Sequence, residues 1–302
     1  MRLASTSTQR TYRYVRLSIL GAVVAMTGSL VIVVIADGPI TSLSALFYTP
    51  GRTVFTGVLC AVALALLALS GHSVEQVLLD AAALCAPLIA VIPTPVQPGD
   101  APGVSCPGDA PCVPVEFVAG VHNGVLTFVM MAVLGVVSVL ALARVRGTGA
   151  PATTAGGTRR GASGARPPAP PLPRGVKIVC VAAIALAAAL LAWLLAAPDS
   201  LLLLGHFVAT AAFFGLMSAV AVIAAITATR PWRPVYIVVA VGMAASLLFL
   251  CAVGVAKLAG ADLAGQPWIL IGESGLIAFF AVFWIAQTAQ KWNEIDPSLV
   301  AG

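Results

Sequence analysis

A chain of 302 residues that is 60% hydrophobic and only 9% charged does not disperse as an ordinary soluble domain, in which about a quarter of residues carry charge. With a mean hydropathy of +1.03 it is solvated mostly by lipid, which excludes the soluble two-domain arrangement that its length alone would allow. The net charge of +5 raises nucleic acid as a partner, but the basic residues fall at membrane boundaries, so membrane lipid is the expected partner and nucleic acid is not.

Eight apolar segments are each long enough to cross about 30 Å of hydrocarbon as a helix, near 16–36, 53–71, 76–95, 115–143, 176–197, 201–227, 234–257 and 267–289. None shows strand-like alternation, so the expected fold is all-α: a polytopic bundle of eight spans and not a membrane barrel. The first segment follows basic residues, as a signal peptide would. Its run from Leu17 to Ala36 is longer than the usual apolar core of such a peptide and "VIADG" offers no clear cleavage site, so a retained helix is expected.

Between the third and fourth segments, Cys106 and Cys112 flank "PGDAP", a spacing that suits a disulfide in an oxidising compartment. After the fourth, "GTGAPATTAGGTRRGASGARPPAPPLP" lacks apolar periodicity and reads as a disordered basic linker. It divides the chain into a first half at 1–144, the linker at 145–175, and a second half at 176–302. No internal repeat is evident.

Threading eight spans from a cytosolic N-terminus places Arg2, Arg10, Arg13, Arg16, Arg144, Arg146, Arg159, Arg160, Arg166, Arg174, Lys177, Arg230, Arg233 and Lys291 inside. Only Arg52 and Lys257 fall outside. That asymmetry predicts a multi-pass protein of the cytoplasmic membrane with both termini in the cytosol. Trp268, Trp232 and Trp292 suit the interfaces.

Several polar residues interrupt the spans. Glu116, His122 and Asn123 begin the fourth, His206 lies in the sixth and Glu273 in the eighth. Counted from the outside, the two histidines and Glu273 share one depth, about 10 Å down at 1.5 Å per residue. Ionisable groups at such depth face a bundle interior or a watery cavity. The expectation is an outward-facing pocket walled by His122, His206, Glu273, Glu116 and Asn123, with Tyr48 and Arg52 as a lid and Arg52 neutralising Glu273 or Glu116. Asp37 and Lys257 approach the same level.

The bland alternative is that each polar group bonds a neighbouring helix. His122, His206 and Glu273 form a weak candidate zinc set, since no H-x-x-x-H or H-E-x-x-H pair supplies two ligands at once. Asp80 is a separate inner carboxylate. His72 and Glu75 read as solvated turn residues, and Gln287 and Gln290 as an interfacial helix end.

The loop "SLSALFYTPGR", with the pattern S-x-S-A-x-x-Y-T-P-x-R, and the later "LLDAAALCAPLIAVIPTP" resemble an uncharacterised family of actinobacterial multispanning membrane proteins. That resemblance brings no ligand, cofactor or activity. A looser likeness links the loop to the Frag1/DRAM/Sfk1 group. The leading functional expectation is binding or handling of a lipid or small envelope molecule. A membrane-embedded and possibly metal-dependent hydrolase or transferase, a proton-coupled transporter and a structural membrane partner are the alternatives.

Overall fold

The computed structural model describes residues 7–69, 73–97, 100–104, 106–108, 110–148, 172, 174–259, 261 and 266–292. Most of the basic linker, His72 and the chain ends lie outside these residues. Eight α-helices run in order: α1 Ser7–Asp37, α2 Arg52–Ala68, α3 Val74–Val91, α4 Val115–Thr148, α5 Arg174–Ala196, α6 Pro198–Thr227, α7 Arg233–Leu258 and α8 Trp268–Gln290. A short 3-10 helix, Ser44–Tyr48, precedes α2. Among the described residues there is no named strand, only an isolated antiparallel bridge between Val96 and Cys112.

Among the described residues seven helices are long and apolar enough to cross a membrane. The exception is α2, whose 17 residues reach about 26 Å at 1.5 Å per residue, short of a full hydrocarbon core. The buried Ser44–Tyr48 helix leads directly into it.

Six helices close a ring: α1 packs on α2, α2 on α3, α3 on α6, α6 on α7, α7 on α8, and α8 returns to α1. The remaining pair, α4 and α5, pack on each other and against α3. The helices before and after the linker therefore pack directly on each other, with α3 against α6 as a principal seam. The core contributed by α6, α7 and α8 includes Tyr236, Phe283, Met217, Met243 and Leu276. Edge-on ring contacts run from Phe280 to Trp284 and from Trp284 to Phe283.

Small residues set how closely the helices approach, because lipid tails give no hydrophobic drive for helix association and packing must supply it. On the α7–α8 seam, a Cβ on Gly242 would lie 2.3 Å from the Phe279 ring, and one on Gly275 would lie 2.6 Å from Ser246 Oγ. Helix starts follow from local chemistry. Ser73 and Gln76 form a reciprocal capping box at α3, and prolines stand in the first turn of α6 and α7.

At the end holding the start of α1, the helices are tied by polar contacts. Arg13 Nε donates to Trp292 O at 2.8 Å, and Arg16 Nη1 donates to Lys291 O at 3.2 Å. Glu75 is not merely solvated. It pairs with Lys291 at 3.6 Å and accepts from Gln287 Nε2 at 3.2 Å, joining α3 to α8. Gln287 is buried, and Gln290 accepts a 2.6 Å bond from the Tyr236 hydroxyl, so this helix end is a packed joint and not a simple interfacial finish. Asp80 is buried in α3 toward the same end.

Candidate functional site

The opposite end is organised by the loop between α1 and α2. Gly38 turns the chain with φ of 104°, a backbone region that glycine enters without penalty. The loop then folds into the 3-10 helix. Leu43 stands at its N-cap and offers no capping side chain, so its first N–H groups need an acceptor from elsewhere. Glu273, from the second turn of α8, supplies it. Its Oε2 accepts from Leu43 N at 2.6 Å, from Ser42 Oγ at 2.8 Å and from Ser44 N at 3.4 Å.

Ser44 carries the contact onward. Its Oγ lies 2.5 Å from Glu273 Oε1 and 3.0 Å from His206 Nε2 on α6. The other ring nitrogen, His206 Nδ1, lies 2.8 Å from Ile92 O at the end of α3. A carbonyl only accepts, so Nδ1 carries a proton. The Ser44 hydroxyl has one proton for two bonds. A second must sit on Glu273 or on His206 Nε2 for both bonds to form. In either arrangement His206, Ser44 and Glu273 together are electrically neutral, which suits a buried position in a membrane protein.

The surrounding loops brace this latch. Thr41 O accepts from Leu270 N at 3.0 Å, while Thr41 Oγ1 donates to Asp100 Oδ1 at 2.7 Å. Asp100 Oδ2 accepts from Gln97 N at 2.8 Å, and Lys257 Nζ reaches Gln97 Oε1 at 3.4 Å. A Cys106–Cys112 disulfide closes the neighbouring loop, and Val96 and Cys112 exchange two 3.0 Å backbone bonds.

A second group lies at the far end of the same 3-10 helix. Tyr48 is buried, donates to Thr94 O at 2.8 Å and meets Phe117 of α4 edge-on. Burial pushes its hydroxyl pKa up; the Arg52 charge opposes that rise and Glu116 adds to it. The Arg52 guanidinium rests over the Phe47 ring at 4.3 Å and the Phe117 ring at 5.1 Å. Its Nη2 would lie 4.0 Å from a Cβ on Gly120 of α4. Stacking occupies the guanidinium face and leaves its N–H edge available. Among the described residues no hydrogen bond or ion pair takes up that edge. Glu116 and Asn123, on the same α4 face, are exposed.

The residues singled out in the sequence thus fall into three places. His206 and Glu273 meet through Ser44. Tyr48, Arg52 and Glu116 gather at the α2–α4 boundary, with Asn123 about two turns further along α4. His122 joins neither group; its Nε2 is buried without a partner among the described residues. Tyr48 is no lid over Glu273, and Arg52 forms no ion pair with Glu273 or Glu116. His122, His206 and Glu273 do not converge as a metal set, and no group of three His, Cys, Asp or Glu side chains among the described residues is placed to hold a metal.

An open recess of about 250 Å³ lies beside these groups, lined by Asp37, Tyr48, Thr49, Pro50, Pro102 and Gly103. It is smaller than the roughly 300–1,000 Å³ of ordinary small-molecule sites. Ser42, Ser44, Phe47, Phe117 and Asp100 are the participants that residue chemistry did not single out, although the first three lie inside the quoted loop motif. Comparison with known protein families, curated proteins and solved structures finds no match for this chain.

Proposed function

We propose that this multi-pass membrane protein lies in the cytoplasmic membrane with its termini in the cytosol, and that its Ser44 end binds a lipid from the outer leaflet. The observation that carries this reading is Arg52. Its cation is held on two aromatic rings, yet its donor edge is open at a lipid-facing boundary between α2 and α4. A phosphate head group matches that edge in charge and in planar hydrogen-bonding geometry. The latch gives the site a rigid support, because Ser44 and Phe47 lie in the same 3-10 helix.

The length of α4 supports the depth. Glu116 and Arg144 are separated by about 42 Å of helix at 1.5 Å per residue, close to the 40–45 Å of a bilayer with its head groups. Asn123 and Arg144 are separated by about 31 Å, close to the hydrocarbon core alone. With Arg144 in the inner head-group layer, Glu116 falls at the outer head-group surface and Asn123 close to the boundary with the hydrocarbon. "EFVAGVHNG" is therefore a projecting helix end that meets head groups.

A hydrolase has less support, because Ser44 is buried and its hydroxyl is engaged on both sides. Proton-coupled transport draws on a different observation: Thr210 Oγ1 on α6 and Trp284 Nε1 on α8 are buried without partners among the described residues. They mark polar points further along the helices that carry His206 and Glu273.

The test of the lipid reading is native mass spectrometry of protein released gently from membranes. Wild type should retain phospholipid and Arg52→Gln should lose most of it, while Lys177→Gln at the other end retains it. Equal retention by all three would overturn the reading.

A further inference from the structure

The polar face of α4 beside Arg52 narrows the class of lipid, an inference that rests on the outer-leaflet reading above. Glu116, Asn123, Met130, Val137 and Arg144 recur every seven residues and all are exposed, so they follow one side of the helix. Along that side the character changes from acidic to amide, then to apolar, and ends on a basic residue. At the level of the head groups, an acid and an amide on this face are within reach of the charged and polar atoms of a bound lipid.

Arg52 lies against this face at the level of Gly120, one helical turn from Glu116. The absence of a side chain at Gly120 is what lets the guanidinium sit against the helix. Cation and carboxylate are thus offered side by side, with no bond between them. An anionic head group such as a glycerol phosphate would satisfy Arg52 but bring its negative charge beside Glu116. A head group that carries its own cation would satisfy both.

We propose that the Arg52–Glu116 pair is a binding site for a zwitterionic phospholipid whose head group is a phosphodiester joined by a short linker to a primary ammonium. The phosphate oxygens take the open edge of Arg52. The ammonium donates to the Glu116 carboxylate, one turn further out. Asn123, nearer the hydrocarbon, is placed for the phosphate or ester oxygens of the same lipid, and its acyl chains run along the Met130 and Val137 side of α4. A primary ammonium donates hydrogen bonds to a carboxylate that a trimethylated ammonium cannot, so ethanolamine-type lipid is selected over choline-type as well as over glycerol-type lipid.

The experiment reconstitutes the full chain into vesicles of equal parts phosphatidylethanolamine, phosphatidylcholine and phosphatidylglycerol, and reads the lipids retained by native mass spectrometry. Wild type should hold phosphatidylethanolamine at least about threefold above either competitor, a difference of roughly 0.65 kcal/mol. Glu116→Gln should still retain lipid but lose that preference, with phosphatidylglycerol gaining. Arg52→Gln should lose retention of all three. Glu116 is exposed, so matching thermal melts of wild type and Glu116→Gln will show that the fold is intact. Retention abolished by Arg52→Gln without ethanolamine preference in wild type, or with a preference that Glu116→Gln leaves unchanged, would overturn the head-group assignment while leaving lipid binding standing. Retention unchanged in Arg52→Gln would overturn both.

Discussion

Ser44 Oγ and Glu273 Oε1 stand 2.5 Å apart, linking the loop after α1 to α8 across most of the chain. The proton that this contact requires is a statement about chemical state. If Glu273 carries it, glutamine is its close mimic: the amide N–H₂ donates to Ser44 while the amide oxygen accepts from Ser42 and Leu43. Glu273→Gln should then melt within a few degrees of wild type in detergent. Glu273→Leu leaves the Leu43 N–H and the Ser42 hydroxyl without their acceptor and Ser44 Oγ without its donor, and should be destabilised by about 2 kcal/mol or more. Equal damage from glutamine and leucine would place the proton on His206, with an ionised Glu273 that glutamine cannot replace.

Gly242 tests the packing of α7 on α8. A methyl group there meets the Phe279 ring at 2.3 Å, too close for the ring to remain where it is. Gly242→Ala should destabilise the protein by about 1–3 kcal/mol, and Phe279→Leu in the same chain should recover part of that loss. Gly21→Ala, where nothing lies within 4 Å, is the control and should be near neutral. A neutral Gly242→Ala would show that this seam is looser than described.

The two loop cysteines report topology without added tags. Before reduction, neither Cys106 nor Cys112 should react with a membrane-impermeant maleimide, because they are joined to each other. After mild reduction of intact cells, both should label from the outside. Labelling only after permeabilisation would invert the protein and move the Arg52 site to the inner leaflet.

The helical architecture is largely legible because span length is a property of segments: the apolar runs coincide with the eight described helices, seven of them long and apolar enough to cross a membrane, and the bonded cysteine pair follows from its spacing. Neighbour relations were not legible. Threading gives helices 4, 6 and 8 one direction and sets their polar residues at one depth, which suggests one pocket, but α4 packs on α5 and α3 while α6 and α8 lie in the ring. Depth along a helix says nothing about azimuth, so depth alone groups His122 with His206 although it joins neither cluster. Ser44 was hidden for a related reason. A serine in a loop has no distinctive spacing, and only the fold brings α6 and α8 to either side of its hydroxyl.

Ala119 is exposed beside Gly120, next to the proposed site, and gives the most direct measurement of the central claim. A photo-crosslinking amino acid at position 119, irradiated in intact cells, should capture phospholipid enriched in ethanolamine head groups relative to the bulk membrane. That enrichment should disappear when Arg52→Gln is added. Crosslinked lipid with the bulk composition, unchanged by Arg52→Gln, would show only an ordinary lipid-facing helix and would contradict a head-group site at this end of the bundle.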